Sequence, residues 1–304
     1  MKILALAALL LATASRASEL RVSETLYRGE GRYLGQVFQA GALSPTGRWD
    51  VSARIKSFQY LDAFKGFQAE YSARVARKLP HVSIAARLGT SPPSGQRASY
   101  HLAGGEALLT WYGFRLGPES LDTIATVAED TATAKSLLGL DRTWVSRLRT
   151  RYTTTNHRQT PPTPALQGYA IVQHSWQFDV SMLWRRTCRL SLDGGGDRYD
   201  HPVGKTDPTW YLWNVDYAGG AIAVRGWPRN HFGARYDQQL GDFSFGAGFT
   251  RMNMSSGDLE ILAGGDAGWR PGGRGLELRL GWYQRRRRSA ETRAVASLGG
   301  SYRW

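Results

Sequence analysis

The chain has a single cysteine, Cys188, in 304 residues. An intramolecular disulfide framework is therefore excluded as a source of stability. No run of 18 apolar residues occurs after the N-terminus, so no later stretch can cross a bilayer as a helix. Neither HExxH nor CxxC is present, which removes two common metal-site signatures and leaves no cofactor to expect. Gly204-Lys205-Thr206 ends like a phosphate-binding loop, but the first glycine of that motif would fall on Tyr199, and the motif fails. Lysine is scarce: only 6 of the 39 basic residues are Lys, and the rest are Arg. There is no internal repeat longer than a hairpin and no interior linker, so the body of the chain reads as one domain.

The N-terminus has the form of an export signal. Met1-Lys2 is a short basic start, Ile3 to Ala14 is an apolar run of signal-peptide length, and small residues follow. Cleavage is expected after Ala17, which divides the chain into a signal peptide, 1–17, and a mature domain, 18–304. Loss of Lys2 and Arg16 lowers the formal net charge from +14 to +12. Export disfavours nucleic acid as the partner of this charge and leaves lipid phosphates or anionic solutes.

What fills the mature chain is alternation with period two, the mark of a strand with two unlike faces. Phe67, Ala69, Tyr71, Ala73 and Val75 alternate with Gln68, Glu70, Ser72 and Arg74. Val82, Ile84, Ala86 and Leu88 alternate with a row containing Arg87. Trp144, Leu148 and Tyr152 lie opposite Arg147, Arg149 and Arg151. Further apolar rows are Phe243 to Phe249, Leu259 to Trp269, and Leu276, Leu278, Leu280 and Trp282. With 35 Gly, 11 Trp, 14 Tyr and a mean hydropathy of −0.39, the composition suits strands that face lipid on one side and water on the other.

Seventeen strands are predicted: 20–28, 33–42, 49–58, 66–77, 81–89, 105–116, 121–133, 143–154, 168–178, 183–192, 209–217, 221–227, 231–240, 243–252, 258–269, 275–284 and 293–304. A single-chain bacterial barrel needs an even number. Counting from both ends places the conflict between 117 and 142, where Ala128 to Leu140 is the least strand-like piece. The expectation is about 16 strands, with 14 or 18 compatible. Tight turns are expected at Arg270–Arg274, Gly241-Asp242 and Gly219-Gly220. Longer links are expected at Arg285–Thr292, Asn253–Gly257 and Asp193–Pro208. Gly194-Gly195-Gly196-Asp197 is read as turn chemistry within the last of these.

The final twelve residues, RAVASLGGSYRW, alternate to the last position, with Ala294, Ala296, Leu298, Gly300, Tyr302 and Trp304 on one face. This resembles the closing strand of bacterial outer-membrane β-barrels, in which the last residue is usually Phe; here Trp304 takes its place. The resemblance implies an all-β, single antiparallel up-and-down transmembrane barrel in the outer membrane of a Gram-negative-type bacterium. It also implies recognition of the last strand by the barrel-assembly machinery, and outer-membrane lipids, lipopolysaccharide among them, as surroundings. The oligomeric state is left open.

Side-chain register then assigns roles. Trp144, Tyr152, Trp269, Trp282, Tyr302 and Trp304 are expected to face lipid. Arg74, Arg87, Arg147, Arg149, Arg151, Arg279, Glu70, Glu260 and Glu277 are expected to line a pore, with Arg303 and Asp266 in inward registers as well. The excess of Arg over acid predicts a passive diffusion channel for small solutes with anion preference. The run Arg285-Arg286-Arg287-Arg288 is the sharpest charge cluster and a candidate contact for lipid phosphates. Two rival readings stand beside the channel: a non-conducting barrel, plugged by 117–142, with a structural or binding role; and a surface hydrolase using Ser99 with His101 or the Asp200-His201 pair. No catalytic set is complete, so no enzyme is expected.

Overall fold

The computed structural model describes residues 19–29, 33–60, 66–79, 81–92, 99–116, 144–184, 187–202, 227–273, 275–288 and 290–303. Fourteen antiparallel strands form one closed ring in sequence order: β1 Glu19–Gly29, β2 Tyr33–Leu43, β3 Trp49–Tyr60, β4 Gly66–Lys78, β5 Val82–Ser91, β6 Ser99–Leu116, β7 Trp144–Thr160, β8 Tyr169–Trp184, β9 Cys188–Tyr199, β10 Pro228–Leu240, β11 Phe243–Met254, β12 Leu259–Trp269, β13 Glu277–Arg287 and β14 Ala290–Arg303. The last strand closes the ring on the first, from Arg21 opposite Arg303 to Gly29 opposite Val295. Closure satisfies the backbone donors and acceptors that an open edge would expose, which is the condition for a sheet in hydrocarbon.

The ring holds 14 strands rather than 16. β6 pairs directly with β7, and β9 directly with β10, so nothing is inserted at either seam. The expected strands 121–133, 209–217 and, but for Trp227, 221–227 lie outside the described residues, as do the Gly219-Gly220 turn and the plug expected of 117–142. The link expected at Asp193–Pro208 is corrected: β9 runs on through the three glycines to Tyr199. Aromatic neighbours supply what the glycines lack. Phe178 on β8 and Phe232 on β10 both register opposite Gly194, and a Cβ at 194 would lie 2.5 Å from the Phe178 ring. Gly194, roofed by the Phe178 ring, is thus held in the sheet although the glycine run favours a turn.

The start of β1 and the end of β14 lie at one rim. There β2 meets β3 through a turn in which Gly47 has φ +67° and donates its N–H to the Ser44 carbonyl at 2.8 Å. β10 meets β11 at the same rim across Gly241 (φ +57°) and Asp242, as the Gly-Asp pair leads one to expect. At the far rim the expected longer links are shorter than that: β11 and β12 are joined by 255–258, and β13 and β14 by 288–289.

The two faces differ as the alternation demands. Large apolar side chains project outward all round the ring, among them Leu88 (63% exposed), Leu280 (61%), Leu298 (53%) and Phe243 (52%). No helix among the described residues is long and apolar enough to cross a membrane. The inner face is polar and charged, with only local apolar packing, such as Leu102, Ile171 and Trp227 beside Tyr199. The fold therefore buries its charges and exposes its leucines, the inverse of a protein made for water.

Candidate functional site: a charged lumen

β3 to β7 form a basic wall. Arg54 and Lys56 come from β3, Arg74 from β4, Arg87 from β5, and Arg147, Arg149 and Arg151 from β7. Each β7 arginine is two residues from the next, so all three share the inner face and start from backbone positions spread over about 13 Å. Register stacks the neighbours: Arg74 lies directly opposite Arg87, and Lys56 opposite Glu70. Glu106 on β6 is the acid at the centre of this wall, its side chain only 5% exposed. It accepts a hydrogen bond from Arg74 Nη2 at 2.7 Å and lies 3.9 Å from Arg151 Nε. Arg87 forms no ion pair with a described residue.

β8 and β9 carry the acidic side. Asp179 accepts from Arg149 Nε at 3.0 Å and lies 3.6 Å from Arg147. Asp197 accepts from Gln173 Nε2 at 2.7 Å and from the Ser175 hydroxyl, while Gln173 Oε1 lies 2.8 Å from His157 Nε2. Asp193 stands 3.8 Å from the buried His231 of β10. Between the two sides lies a cavity of about 400 Å³, lined by Arg54, Lys56, Glu70, Arg87, Glu106, Arg149, Arg151, Asp179, Asp193, Asp197 and His231. Arg74 and Arg147 reach the same space through their carboxylate partners. These walls bring seven cations to five carboxylates.

β10 to β14 are different in kind, because there inward charge is cancelled by pairing. Arg235 binds Asp237 and Asp266, each at 2.7 Å. Arg279 binds Asp266 at 2.9 Å and Glu277 at 2.7 Å. Arg285 binds the fully buried Glu260 at 2.8 Å, and Arg287 binds Asp258 at 2.7 Å. These ladders tie neighbouring strands together and leave little net charge for a solute.

All nine residues expected to line a pore thus lie on the inner face: Arg74, Arg87, Arg147, Arg149, Arg151 and Glu70 in or beside the cavity, Arg279, Glu260 and Glu277 in the paired sector. Tyr152, Trp269, Trp282 and Tyr302 project outward, 39–51% exposed. The Trp144 side chain and Trp304 lie outside the described residues. The run Arg285–Arg288 is not a single cluster, which corrects that expectation. Strand alternation turns Arg285 and Arg287 inward to acids and leaves Arg286 on the outer face. Ser99 and His101 form no catalytic pair: His101 Nδ1 is 3.0 Å from the Thr90 hydroxyl. His201 pairs with Asp200 at 2.8 Å, with no nucleophile described beside them.

Several site residues escaped the sequence reading. Glu106 sits in β6, where Leu102 and Leu108 point inward and blur the alternation. Asp193 and Asp197 were hidden by the glycine run. Arg54 and Lys56 share a register two residues apart on β3, and that spacing was the signal available.

A closed up-and-down ring of an even number of strands, with an apolar outside and a charged inside, is the architecture of the bacterial outer-membrane barrels. No family model matches the sequence, and no curated protein matches it. Among solved structures it is similar to OccK2 (OpdF) of Pseudomonas aeruginosa, solved in complex with glucuronate, at 12% identity over 94% of this chain and 97% of that one, with a TM-score of 0.42. The outer membrane proteins opdK (12% identity, 94% and 98% covered, TM-score 0.41) and OprD (9%, 94% and 92%, TM-score 0.42) of the same organism are also similar.

Proposed function

We propose that the protein is an outer-membrane channel that passes small solutes by diffusion and prefers anions. The basic wall carries this reading. Five cations of β3 to β7 line a water-accessible cavity and Arg74 and Arg147 stand beside it, seven in all against the five carboxylates Glu70, Glu106, Asp179, Asp193 and Asp197. An excess of guanidinium groups along a lumen lowers the energy of an anion there and raises that of a cation. The wall needs no cofactor to do this.

The outer-membrane setting rests on the outward leucines and aromatics, the expected signal peptide over 1–17 and the closing strand β14. Assembly machinery acting on that strand belongs to the same proposal. The test is planar-bilayer recording of the refolded mature protein. Single-channel conductance with a reversal potential of anionic sign across a salt gradient is expected. Cation preference would overturn the selectivity, and absence of conductance would favour a binding or structural barrel.

A further inference from the structure

We infer that a second copy of this chain docks on the outward face of β14, β1, β2 and β3, side by side in the membrane and centred on Glu24 and Gln36. This rests on the membrane-spanning reading above, and it concerns the outer wall rather than the lumen. Glu24 is the sixth of the eleven residues of β1, is exposed, and stands in the outward row between Val22 and Leu26. The other carboxylates on described strand side chains turn inward, from Asp50 on β3 to Glu277 on β13. The outward arginines all lie within three residues of a strand end. Among the described residues, Glu24 is therefore the one acidic side chain midway along an outward row.

A carboxyl group facing hydrocarbon is costly, and such residues are found where other polar groups meet them. Gln36 on β2 does part of this: its Nε2 donates to Glu24 Oε1 at 2.6 Å. That bond uses one of the two amide N–H groups and one of the two carboxyl oxygens. Both side chains are exposed, so the remaining N–H and oxygen are open to a neighbour. The pair is self-complementary. Its donor and acceptor touch, so they stand at nearly one height. A two-fold axis along the membrane normal, passing between them, sets the carboxyl of each copy against the amide of the other. The second N–H of each Gln36 then donates to Glu24 of the other copy, and lipid is shut out from both pairs.

The surroundings allow close approach. Gly300 of β14 registers with Glu24, Ala296 with Arg28, Ala40 of β2 with Val22, and Ala53 of β3 with Ala40. Small residues let two walls come together, as they do between membrane helices. The wall across the ring differs: Trp176, Phe178, Phe232, Phe245 and Phe249 on β8, β10 and β11 are 43–48% exposed and present rings suited to lipid. Four strands about 4.8 Å apart, under an apolar band about 25 Å tall, offer about 475 Å² per copy. The two copies together bury about 950 Å², the size of a weak, reversible interface.

The test measures the monomer–dimer constant of the refolded protein by sedimentation equilibrium in neutral detergent. A reversible dimer is expected, at least about tenfold weaker in Glu24→Leu/Gln36→Leu and kept within about threefold in Glu24→Gln, which can still make the hydrogen bonds. Leu26 lies directly opposite Gln36, so Leu26→Cys in a Cys188→Ser background should cross-link to a dimer on oxidation in vesicles, whereas Val180→Cys on the far wall should not. The cross-link decides the matter if the double leucine variant does not fold. A monomer at all concentrations, a trimer or larger species, equal association of wild type and the double leucine variant, or equal cross-linking at 180 would each overturn the inference. Flotation with vesicles tests the membrane reading separately: a protein that floats but stays monomeric fails here alone.

Discussion

Replacing Arg147, Arg149 and Arg151 together by Gln should reverse the selectivity of the channel. The substitution removes three of the seven cations on the cavity walls and releases Asp179, while Glu106 keeps Arg74. Four cations then face five carboxylates. The size of the effect follows from Coulomb's law. A unit charge about 8 Å from a permeating ion in water-like surroundings is worth roughly 0.5 kcal/mol. Losing three such charges raises an anion by about 1.5 kcal/mol and lowers a cation by as much, about 3 kcal/mol in all and roughly a hundredfold in the anion-to-cation permeability ratio. The assay is the reversal potential of the refolded variant across a gradient near about 0.02 M salt, where the Debye length exceeds the width of the lumen. The wild type should prefer anions, and the variant should lose that preference or invert it. Near about 1 M salt, where the Debye length is about 3 Å, the two should converge. An unchanged reversal potential at low salt would refute the reasoning. So would an equally large change at high salt, because it would point to altered geometry rather than charge.

Three other outcomes test the fold beneath this lumen. Leu280→Arg places a cation on the outer face, where the side chain is 61% exposed, and should cost about 2–4 kcal/mol of folding stability in lipid vesicles by denaturant titration; no cost would mean that this face does not meet hydrocarbon. Gly248→Val puts a Cβ 2.7 Å from the Ala234 carbonyl oxygen and should weaken the β10–β11 pairing by about 1–3 kcal/mol, read from the same titration, whereas a neutral result would contradict the close approach of these strands. Deleting Trp304 should lower the amount assembled in the outer membrane of cells while the refolded protein keeps its conductance; normal surface levels would count against a role for the terminal aromatic.

Much of this molecule was legible in its sequence because a strand between lipid and water must alternate. The rows Arg147-Arg149-Arg151 and Leu148-Tyr152 are sorted by parity alone, and the cost of a charge in hydrocarbon says which row turns inward. The same logic divides Arg285 and Arg287 from Arg286, although the four-arginine run read as one cluster hides it. Parity of strand number placed a fault between 117 and 142, which lies outside the described residues. Parity is blind to an error of two, so the direct pairing of β9 with β10 had to come from the structure. Local composition misjudged Gly194 to Gly196, where the rings of Phe178 and Phe232 on neighbouring strands decide the conformation. The pairing of charges was likewise out of reach. Glu106 meets Arg74 and Arg151, and Glu260 meets Arg285, across separations that only strand register sets. Alternation along one strand thus determined which side of the wall each residue takes. Closure of the ring decided its neighbours there, and with them which arginines are neutralised and which remain for a solute, because that depends on contacts between strands far apart in the chain.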